Sequence, residues 1–479
     1  KAAGGRFDVI GMSAYPYWAN LPWQTEADEA AQTMSEMQSR YGVPTLVCEC
    51  GYAESDPADC YSYLEALIAA AKKAGALGVF YWEPECYGGW PAGGAYALGA
   101  FTAEGEPNAG MKAFTDSGVA PYFAPEPASV TIATGGSVLL GGPATGYPVP
   151  AYQWTRNGSA IAGADGPSLL VRGVTPTNSG IYRRTAVNAS GSASSTITLS
   201  VVATTDPGRL INLSTRAQVG SGANILIAGF VVGGAGTSGT ESLLARGSGP
   251  ALAPFGVPGV LADPQLTLGG PAGVLATNDG WGGSAAIVAA AASVGAFAWL
   301  DASSHDAAIL DALPGGTYTA EIAGEDGDSG LALAEIYDET PAGSYTAATP
   351  RLINLSIRGQ VGTGAEVLIV GFVIAGSTSK TVLIRATGPT LAEFGISGAL
   401  PDPELQVQWG GEQIGGNSGW GGDTQIAAVA ASVGAFAWSD PASLDSALLL
   451  TLTPGSYTAQ VSGGSGDTGI ALVEVYELR

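Results

Sequence analysis

The sequence is poor in basic residues. Only 18 of its 479 residues are lysine or arginine, against 42 aspartates and glutamates, and the formal net charge is −24. A chain with so few cations lacks the basic face that nucleic acid or an anionic membrane surface would require. An acidic surface suits a neutral partner such as a polysaccharide, although it serves solubility equally well.

Long apolar runs are also missing. A bilayer span needs about 20 apolar residues, and the alanine-rich run at 285–300 is short and broken by glycine. We therefore expect no membrane span. The sequence begins with neither a methionine nor a signal peptide, and residues 1–16 read as the end of a helix that enters a strand. We expect an N-terminally truncated sequence that continues a longer protein.

Cysteine is scarce and confined to the first 90 residues, at Cys48, Cys50, Cys60 and Cys86. Four thiols permit three full pairings. Cys48 and Cys50 lie two apart on one side of a predicted strand and are badly placed to bridge each other. Two alternatives remain, a Cys60–Cys86 disulfide between loops and four ordinary buried thiols.

Residues 1–118 alternate apolar, strand-like runs with helical patterns. The clearest helix has Asp56 as its N-cap, Pro57 at its first position and lysines near its end, which are standard helix signals. Strand–helix alternation of this kind predicts parallel strands. The segment therefore contains three strand–helix units.

The second predicted strand, “LVCEC”, contains one carboxylate among apolar residues. Because side chains alternate along a strand, we expect Val47 and Glu49 on one face. Leu46, Cys48 and Cys50 would lie on the other face, under the helices. In a (β/α)8 barrel, Glu49 would then project inward at the carboxyl end of its strand, where the active sites of such barrels lie.

Aromatic residues follow the predicted strands at the same rim. Trp82 ends the third strand, while Tyr15, Tyr17 and Trp18 follow the first. Aromatic faces stack on pyranose rings, and a carboxylate can attack an anomeric carbon. The pattern suits sugar chemistry, with Glu49 as the catalytic residue and the four aromatic residues as substrate contacts. The alternative is that Glu49 is a structural buried acid paired with a lysine or arginine.

These residues belong to longer stretches that resemble glycoside hydrolase family 53, the arabinogalactan endo-β-1,4-galactanases. The stretches are “DVIGMSAYPYW”, “RYGVPTLVCECGY”, “GVFYWEP” and “LGAFTAEGEPNAGMKAF”. The resemblance covers residues 1–116 and implies the last three units of a (β/α)8 TIM barrel. It implies a retaining mechanism in which Glu49 is the nucleophile and a glutamate upstream of Lys1 is the acid/base.

The resemblance implies a retaining, endo-acting hydrolase that degrades arabinogalactan or pectic galactan. The sequence by itself is expected to be inactive, because three barrel units leave open strand edges. It departs from the family at Ala14, where a second aromatic is usual, and after Trp18, where a histidine is usual. Another retaining endo-glycanase of the same barrel clan is therefore one alternative, and a non-catalytic surface or adhesion protein is another.

No cofactor or metal is expected. Members of the family can hold calcium in their last loop, where Glu85 and nearby carbonyls could serve, but an aspartate-rich ligand spacing is missing there.

An immunoglobulin pattern follows a proline-rich linker, over residues 122–203. Trp154 in “YQWTRNG” and Tyr182 in “NSGIYRRTAVNASG” resemble the strand-C tryptophan and the corner tyrosine of the intermediate-set domain. Gly142 and Arg184 stand where its two bridging cysteines would fall. The core of this domain is therefore predicted to be stable without a disulfide. We expect the Arg184 side chain either to be exposed or to pair with another group.

The rest of the chain is two copies of one sequence, at 209–338 and 351–478. “RLINLSTRAQVGSGANILIAGFVV” recurs as “RLINLSIRGQVGTGAEVLIVGFVI”. Alternating apolar residues predict antiparallel strands with one wet face, so each copy is predicted to be a β-sandwich.

The two copies carry paired tryptophans, which could line a glycan-binding face, although a core role is favoured: Trp281 with Trp420, and Trp299 with Trp438. We expect the immunoglobulin-like and repeat domains to be spacers, cell-surface attachments or weak glycan binders. The predicted protein is multidomain, partly TIM barrel and otherwise all-β, and is secreted or held at the cell surface.

Overall fold

The computed structural model describes residues 7–86, 98–102, 105–341, 343–346 and 348–478. Its contacts divide the chain into two compact units. The first comprises residues 1–126, 142–167 and 183–196, and the second comprises 127–141, 168–182 and 197–479. The division passes through the predicted immunoglobulin-like domain.

The first unit opens with a three-stranded sheet in the order β1-β2-β3, and both strand pairs are parallel, as the alternation predicted. The strands are β1 (Ile10–Ala14), β2 (Thr45–Cys50) and β3 (Val79–Tyr81). The helices are α1 (Pro16–Ala19), α2 (Trp23–Tyr41), α3 (Pro57–Ala74) and α4 (Lys112–Asp116). That these are the last three units of an eight-unit barrel stays a prediction.

Helix α3 begins and ends where the sequence indicates. The Asp56 side chain accepts a hydrogen bond from the backbone N–H of Asp59 at 3.2 Å, and Pro57 follows at the first helical position. Gly75 ends the helix with a φ of 68°, a left-handed conformation that glycine adopts without strain.

One face of this sheet is buried and the other is open. Ala14, Val47 and Cys50 pack against Tyr63 and other residues of the helices. On the opposite side, Phe80 is 60% exposed. No element among the described residues of this unit covers that side.

The immunoglobulin-like segment is built from short strands. They are β4 (Val119–Tyr122), β5 (Ser129–Ala133), β6 (Val138–Gly141), β7 (Thr145–Tyr147), β8 (Ala151–Arg156), β9 (Ser159–Ala160), β10 (Ser168–Val171), β11 (Gly180–Asn188) and β12 (Gly191–Val202). In the first unit β4 pairs with β7 and β8 with β9. In the second unit β6 pairs with β10, and β5 pairs with the end of β12.

The two residues that mark the domain in sequence lie where the pattern predicts. Trp154 is fully buried on β8, and its indole N–H donates to the carbonyl of Gly166 at 3.0 Å. The hydroxyl of Tyr182 donates to the carbonyl of Asn178 at 2.9 Å, which is the backward bond of a tyrosine corner.

Arg184 occupies the site of the missing disulfide and finds partners there. Its side chain is 3% exposed and forms an ion pair with Glu126 at 2.8 Å. The guanidinium donates to the carbonyl of Gly142, the other cysteine position, and to that of Pro167 at 3.2 Å. It also lies 4.0 Å from the ring centroid of Phe123. A cation therefore joins the two positions that a disulfide would otherwise link.

We expect Arg184→Met to lower the free energy of unfolding of this domain by about 3 kcal/mol or more, because Glu126 is left without its cation. Arg183→Met is the matched control. Arg183 is the exposed neighbour and donates to Ser194, so its replacement should cost about 0.5 kcal/mol or less. Hydrogen exchange of peptides from 151–188 across a urea series measures both, and equal effects would contradict this role for Arg184.

Each repeat contains eight strands and one α-helix. The first has β13 (Arg209–Val219), β14 (Leu226–Gly233), β15 (Thr240–Ser248), β16 (Pro264–Gly270), β17 (Gly273–Asn278), α5 (Ala285–Ser293), β18 (Ala307–Pro314), β19 (Gly316–Gly324) and β20 (Gly330–Asp338). The second has β21 (Arg351–Val361), β22 (Leu368–Ala375), β23 (Lys380–Thr387), β24 (Pro403–Trp409), β25 (Glu412–Asn417), α6 (Thr424–Ser432), β26 (Ser446–Leu452), β27 (Gly455–Gly463) and β28 (Gly469–Glu477).

The two repeats are joined strand to strand. Within the first repeat the strand orders are β18-β15-β20-β13 and β17-β16-β19-β14, and the second repeats this arrangement. Edge strand β13 pairs with β22, and edge strand β14 pairs with β21, both antiparallel. We call these two pairings the seam. One hydrophobic core contains residues of both repeats, so the predicted boundaries mark the sequence repeat but not separate cores.

Each repeat has a buried arginine that packs against aromatic rings and pairs with a glutamate. Arg246 is 1% exposed, lies 4.6 Å from the ring of Phe297 and 4.2 Å from that of Trp299, and pairs with Glu335 at 3.4 Å. The second repeat has the same set, with Arg385, Phe436, Trp438 and Glu474.

The paired tryptophans belong to hydrophobic clusters on the same sides of the repeats as these arginines: Trp281 and Trp299 in the first repeat, and Trp420 and Trp438 in the second. Trp281, Trp420 and Trp438 are 7%, 9% and 9% exposed. The core role favoured for the paired tryptophans is therefore observed for these three. Trp299 is half-buried and packs against the same cluster as Trp281. That any of the four binds glycan stays a prediction.

At one position the first repeat has an acidic residue and the second a basic one. Glu241 in the first repeat lies beside Asp338 and has Lys380 as its counterpart in the second. Burial, reinforced by the neighbouring Asp338 carboxyl, raises the pKa of Glu241 from its ordinary 4.5 to about 9. Between these values the folded chain keeps a proton that the unfolded chain has released. Stability should therefore decrease as pH rises from about 4.5 to about 9.

We expect Glu241→Gln to remove this decrease. Its melting transition should lie above that of the parent chain at pH 8 and should coincide with it at pH 4, where Glu241 is protonated in both states. Calorimetry at the two pH values measures this, with the exposed Glu412→Gln as the matched control. A shift of equal size at both pH values would contradict the assignment.

Candidate active site

Glu49 is the next-to-last residue of β2 and is half-buried. In the parallel pairing of β1 with β2 it lies opposite Ser13. The Ser13 hydroxyl donates to Oε2 of Glu49 at 3.0 Å. The carboxylate is thus held in place by a hydrogen bond from the neighbouring strand.

A bulge at Cys48 changes the faces predicted for this strand. Met12 pairs with Val47, but the next residue, Ser13, pairs with Glu49, so Cys48 is the extra residue. Val47 is therefore buried with Cys50 against the helices, while Cys48 is exposed. The expectation that Val47 shares the face of Glu49, and that Cys48 lies under the helices, is wrong. An inserted residue breaks the strict alternation on which it depended.

The carboxyl ends of the three strands are level with one another. Ala14 pairs with Cys50, and Cys50 with Tyr81. Trp82, the next residue, donates its backbone N–H to the carbonyl of Cys50 at 2.9 Å, and its side chain is 46% exposed. Trp82 and Glu49 therefore lie at the same edge of the sheet, as the sequence predicted.

The aromatic residues after β1 differ in exposure. Tyr17 and Trp18, in α1, are 67% and 60% exposed, but Tyr15 is only 6% exposed. The ring centroids of Tyr15 and Trp18 are 4.3 Å apart. Tyr17 and Trp18 can therefore present faces to a ligand, whereas Tyr15 supports Trp18. The substrate-binding role assigned to all four aromatic residues stays a prediction.

Sequence reasoning missed two groups that hold this edge. One is Ser13, a small polar residue in an apolar strand, which could have been found by placing β1 and β2 in register. The other is Tyr63, whose hydroxyl donates to the carbonyl of Ala14 at 2.7 Å from within α3. Nothing local in the sequence distinguishes Tyr63 from an ordinary core tyrosine.

The four cysteines are free thiols, so the Cys60–Cys86 disulfide is wrong. Cys60 lies inside α3 rather than in a loop, and its Sγ is 3.9 Å from the hydroxyl of Tyr81. The alternative of four buried thiols holds for Cys50 and Cys60 only, since Cys48 is exposed and Cys86 is half-buried. Burial raises the pKa of Cys60 to about 11 and also raises that of Cys50.

Neither a metal site nor a membrane span is found in the described part of the chain. No group of three or more histidine, cysteine, aspartate or glutamate side chains there could hold a metal ion. The loop considered for calcium continues from Glu85 into residues 87–97, which lie outside the described residues. No described helix is long and apolar enough to cross a bilayer.

We expect iodoacetamide to modify Cys48 well before Cys50 and Cys60. The bulge exposes Cys48, whereas the other two thiols are buried and have raised pKa values, and the thiolate is the reactive form. Mass spectrometry of timed digests measures this. Labelling in urea, where the four thiols should react alike, is the control. Protection of Cys48 to the level of Cys50 would contradict the bulge.

Comparison with known proteins agrees with both resemblances drawn from the sequence. Residues 1–114 match glycosyl hydrolase family 53, and residues 121–201 match the immunoglobulin I-set domain. The arabinogalactan endo-beta-1,4-galactanase of Cellvibrio japonicus (strain Ueda107) is 27% identical over 137 residues, which are 22% of this chain and 35% of the relative. The chain thus spans about a third of the length of the curated relative it matches.

Solved structures match over a small part of the chain. Titin domain M7 is 26% identical, and the match spans 18% of this chain and 97% of the titin domain, with a TM-score of 0.17. The titin M3 domain is 30% identical, and the match spans 17% of this chain and 95% of the titin domain, with a TM-score of 0.16.

Proposed function

We propose that the family 53 segment at residues 1–114 is part of a retaining endo-β-1,4-galactanase, and that Glu49 is its nucleophile. One observation carries the proposal. Glu49 is on the open side of a parallel sheet, at the carboxyl edge, where Ser13 holds it and Trp82 follows the neighbouring strand. Catalytic residues of parallel β/α barrels lie at this edge.

The proposed reaction needs two carboxyl groups. Glu49 attacks the anomeric carbon and forms a glycosyl-enzyme ester, while the second group protonates the departing oxygen and then takes a proton from the incoming water. The two carboxyl groups of a retaining enzyme are about 5–5.5 Å apart. The acid/base glutamate is expected upstream of Lys1, on a strand that completes the barrel.

The exposed aromatic residues are proposed to hold the sugar chain. Trp82 is the principal stacking face, and Tyr17 and Trp18 extend it on the other side of Glu49. Ala14 is small and buried where the family usually has an aromatic, so the sugar preference at this subsite is open to test. An extracellular or cell-surface location, where the polymer is met, belongs to the same proposal.

The test is hydrolysis by a chain extended at Lys1 to a complete barrel. We expect it to release reducing sugar from β-1,4-galactan with retained anomeric configuration, which NMR of early products measures. Glu49→Ala should lower the rate by on the order of 10⁴ or more, as loss of a covalent nucleophile does elsewhere. The 479-residue chain alone should release none.

Glu83→Gln is the matched control, because Glu83 is an exposed glutamate next to Trp82, and it should leave the rate nearly unchanged. Persistent activity in Glu49→Ala would exclude this nucleophile. An extended chain that cleaves xylan or mannan but not galactan would favour another endo-glycanase. An extended chain that cleaves no glycan would favour the surface or adhesion protein.

A further inference from the structure

A groove of about 790 Å³ runs along the seam of the two repeats. Its floor is the outward side of β20, β13, β22 and β27, and its wall is the segment 255–258 that follows β15. Both repeats line it, so it exists only because they pair. Its volume lies within the range of sites that bind small molecules and oligomer segments, about 300–1,000 Å³.

The repeat symmetry produces a second, smaller groove. It measures about 280 Å³ and is lined by the equivalent positions on the other side, with Arg358 in place of Arg216. Two copies of one sequence thus form two unequal grooves. The difference between them points to what the larger one does.

The larger groove continues onto a surface rich in amides. Strand pairing places Gln460 beside Ile369 and then Gln406 beside Gln460. In the next row Gln408 lies beside Thr458, which lines the groove. We call Gln406, Gln408 and Gln460 the amide face. From β13 to β24 this surface spans three strand spacings, about 15 Å.

The other side of the seam has no such face. The positions equivalent to the amide face are Thr267, Gly269 and Glu321, which pair in the same way with each other and with β14. Three amides therefore correspond to one hydroxyl, one missing side chain and one carboxylate. Packing does not require the amides, because the equivalent strands pair without them.

The lining of the groove suits a neutral ligand. Arg216 and Glu366 bring one charge of each sign, and no other charged side chain lines the groove among the described residues, in a chain whose net charge is −24. Amides both donate and accept hydrogen bonds, as hydroxyl groups do. Ile369 and Phe255, 38% and 67% exposed, add apolar surface for the carbon face of a sugar ring.

Several of these side chains are held before any ligand arrives. The amide nitrogen of Gln218 donates to the carbonyl of Val219 at 3.2 Å, and that of Gln408 donates to Oε1 of Gln460 at 3.3 Å. A peptide strand could not add to the floor, because β13 and β22 have hydrogen-bonded strands on both sides. Recognition must therefore come from side chains.

From these observations we infer that the seam groove and the amide face bind a neutral, hydroxyl-rich glycan chain. The site is separate from Glu49 and needs no catalysis. Only the choice of β-1,4-galactan as the first probe rests on the proposed function.

Affinity electrophoresis of the 479-residue chain in native gels containing soluble β-1,4-galactan tests this. The acidic chain migrates readily, and the polymer should retard it. Arg216→Ala should weaken retardation by about tenfold or more, as loss of a central contact does. So should the triple variant Gln406→Thr, Gln408→Ala, Gln460→Glu, which makes the amide face resemble its counterpart.

Two controls locate the site. Arg358→Ala alters the equivalent arginine of the smaller groove, and Tyr122→Ala removes an exposed aromatic ring that lines neither groove. Both should retain galactan binding within about twofold. Polymer-free gels correct for the charge changes, and circular dichroism confirms that each variant is folded.

The outcomes separate the two proposals. Retardation by arabinan or xylan but not by galactan would support the seam site and count against galactan as the substrate of Glu49. If the chain binds galactan but the extended chain fails to hydrolyse it, only the proposed galactanase activity would be refuted. The seam site would be overturned if no neutral polymer retarded the chain, if polygalacturonate alone did so, or if Arg358→Ala weakened retardation as much as Arg216→Ala.

Discussion

The pairing of strand edges at the seam is the constraint on which the repeat body depends. A repeat by itself would leave β13 and β14 with unpaired backbone groups, and such edges invite aggregation. Pairing β13 with β22 and β14 with β21 satisfies four edges at once. The same pairings join the inner faces into one core and bring together the walls of the groove, so stability and the proposed binding site have one origin.

In the first unit, by contrast, strand edges stay unpaired among the described residues. Its parallel sheet has β1 and β3 at its edges among the described residues, and one face is uncovered. Helix α3 and its neighbours pack only the other side. Glu49 lies on the uncovered side, which is where a closed barrel would place its active site. The uncovered face of the sheet and the residues that carry the proposed chemistry therefore coincide.

Buried ion pairs stabilise the immunoglobulin-like segment and both repeats, where a disulfide or apolar packing would be the more usual solution. Arg184 joins the two positions of a missing disulfide through Glu126 and the Gly142 carbonyl. Inside the repeats, Arg246 packs against two aromatic rings and pairs with Glu335. A buried ion pair gains little over apolar packing but is costly to break. Such residues resist single substitution, which is consistent with the same set in the second repeat.

Local patterns in the sequence were enough to determine the alternation of strands and helices, the limits of α3, the repeat and the position of Glu49 near the carboxyl end of its strand. Each depends on periodicity or on a motif a few residues long. Tertiary structure alone decided the bulge at Cys48, the burial of Tyr15, the free thiol of Cys60 and the seam. One inserted residue reverses a strand's faces without changing its composition, and pairing between strands more than 100 residues apart leaves no local signal.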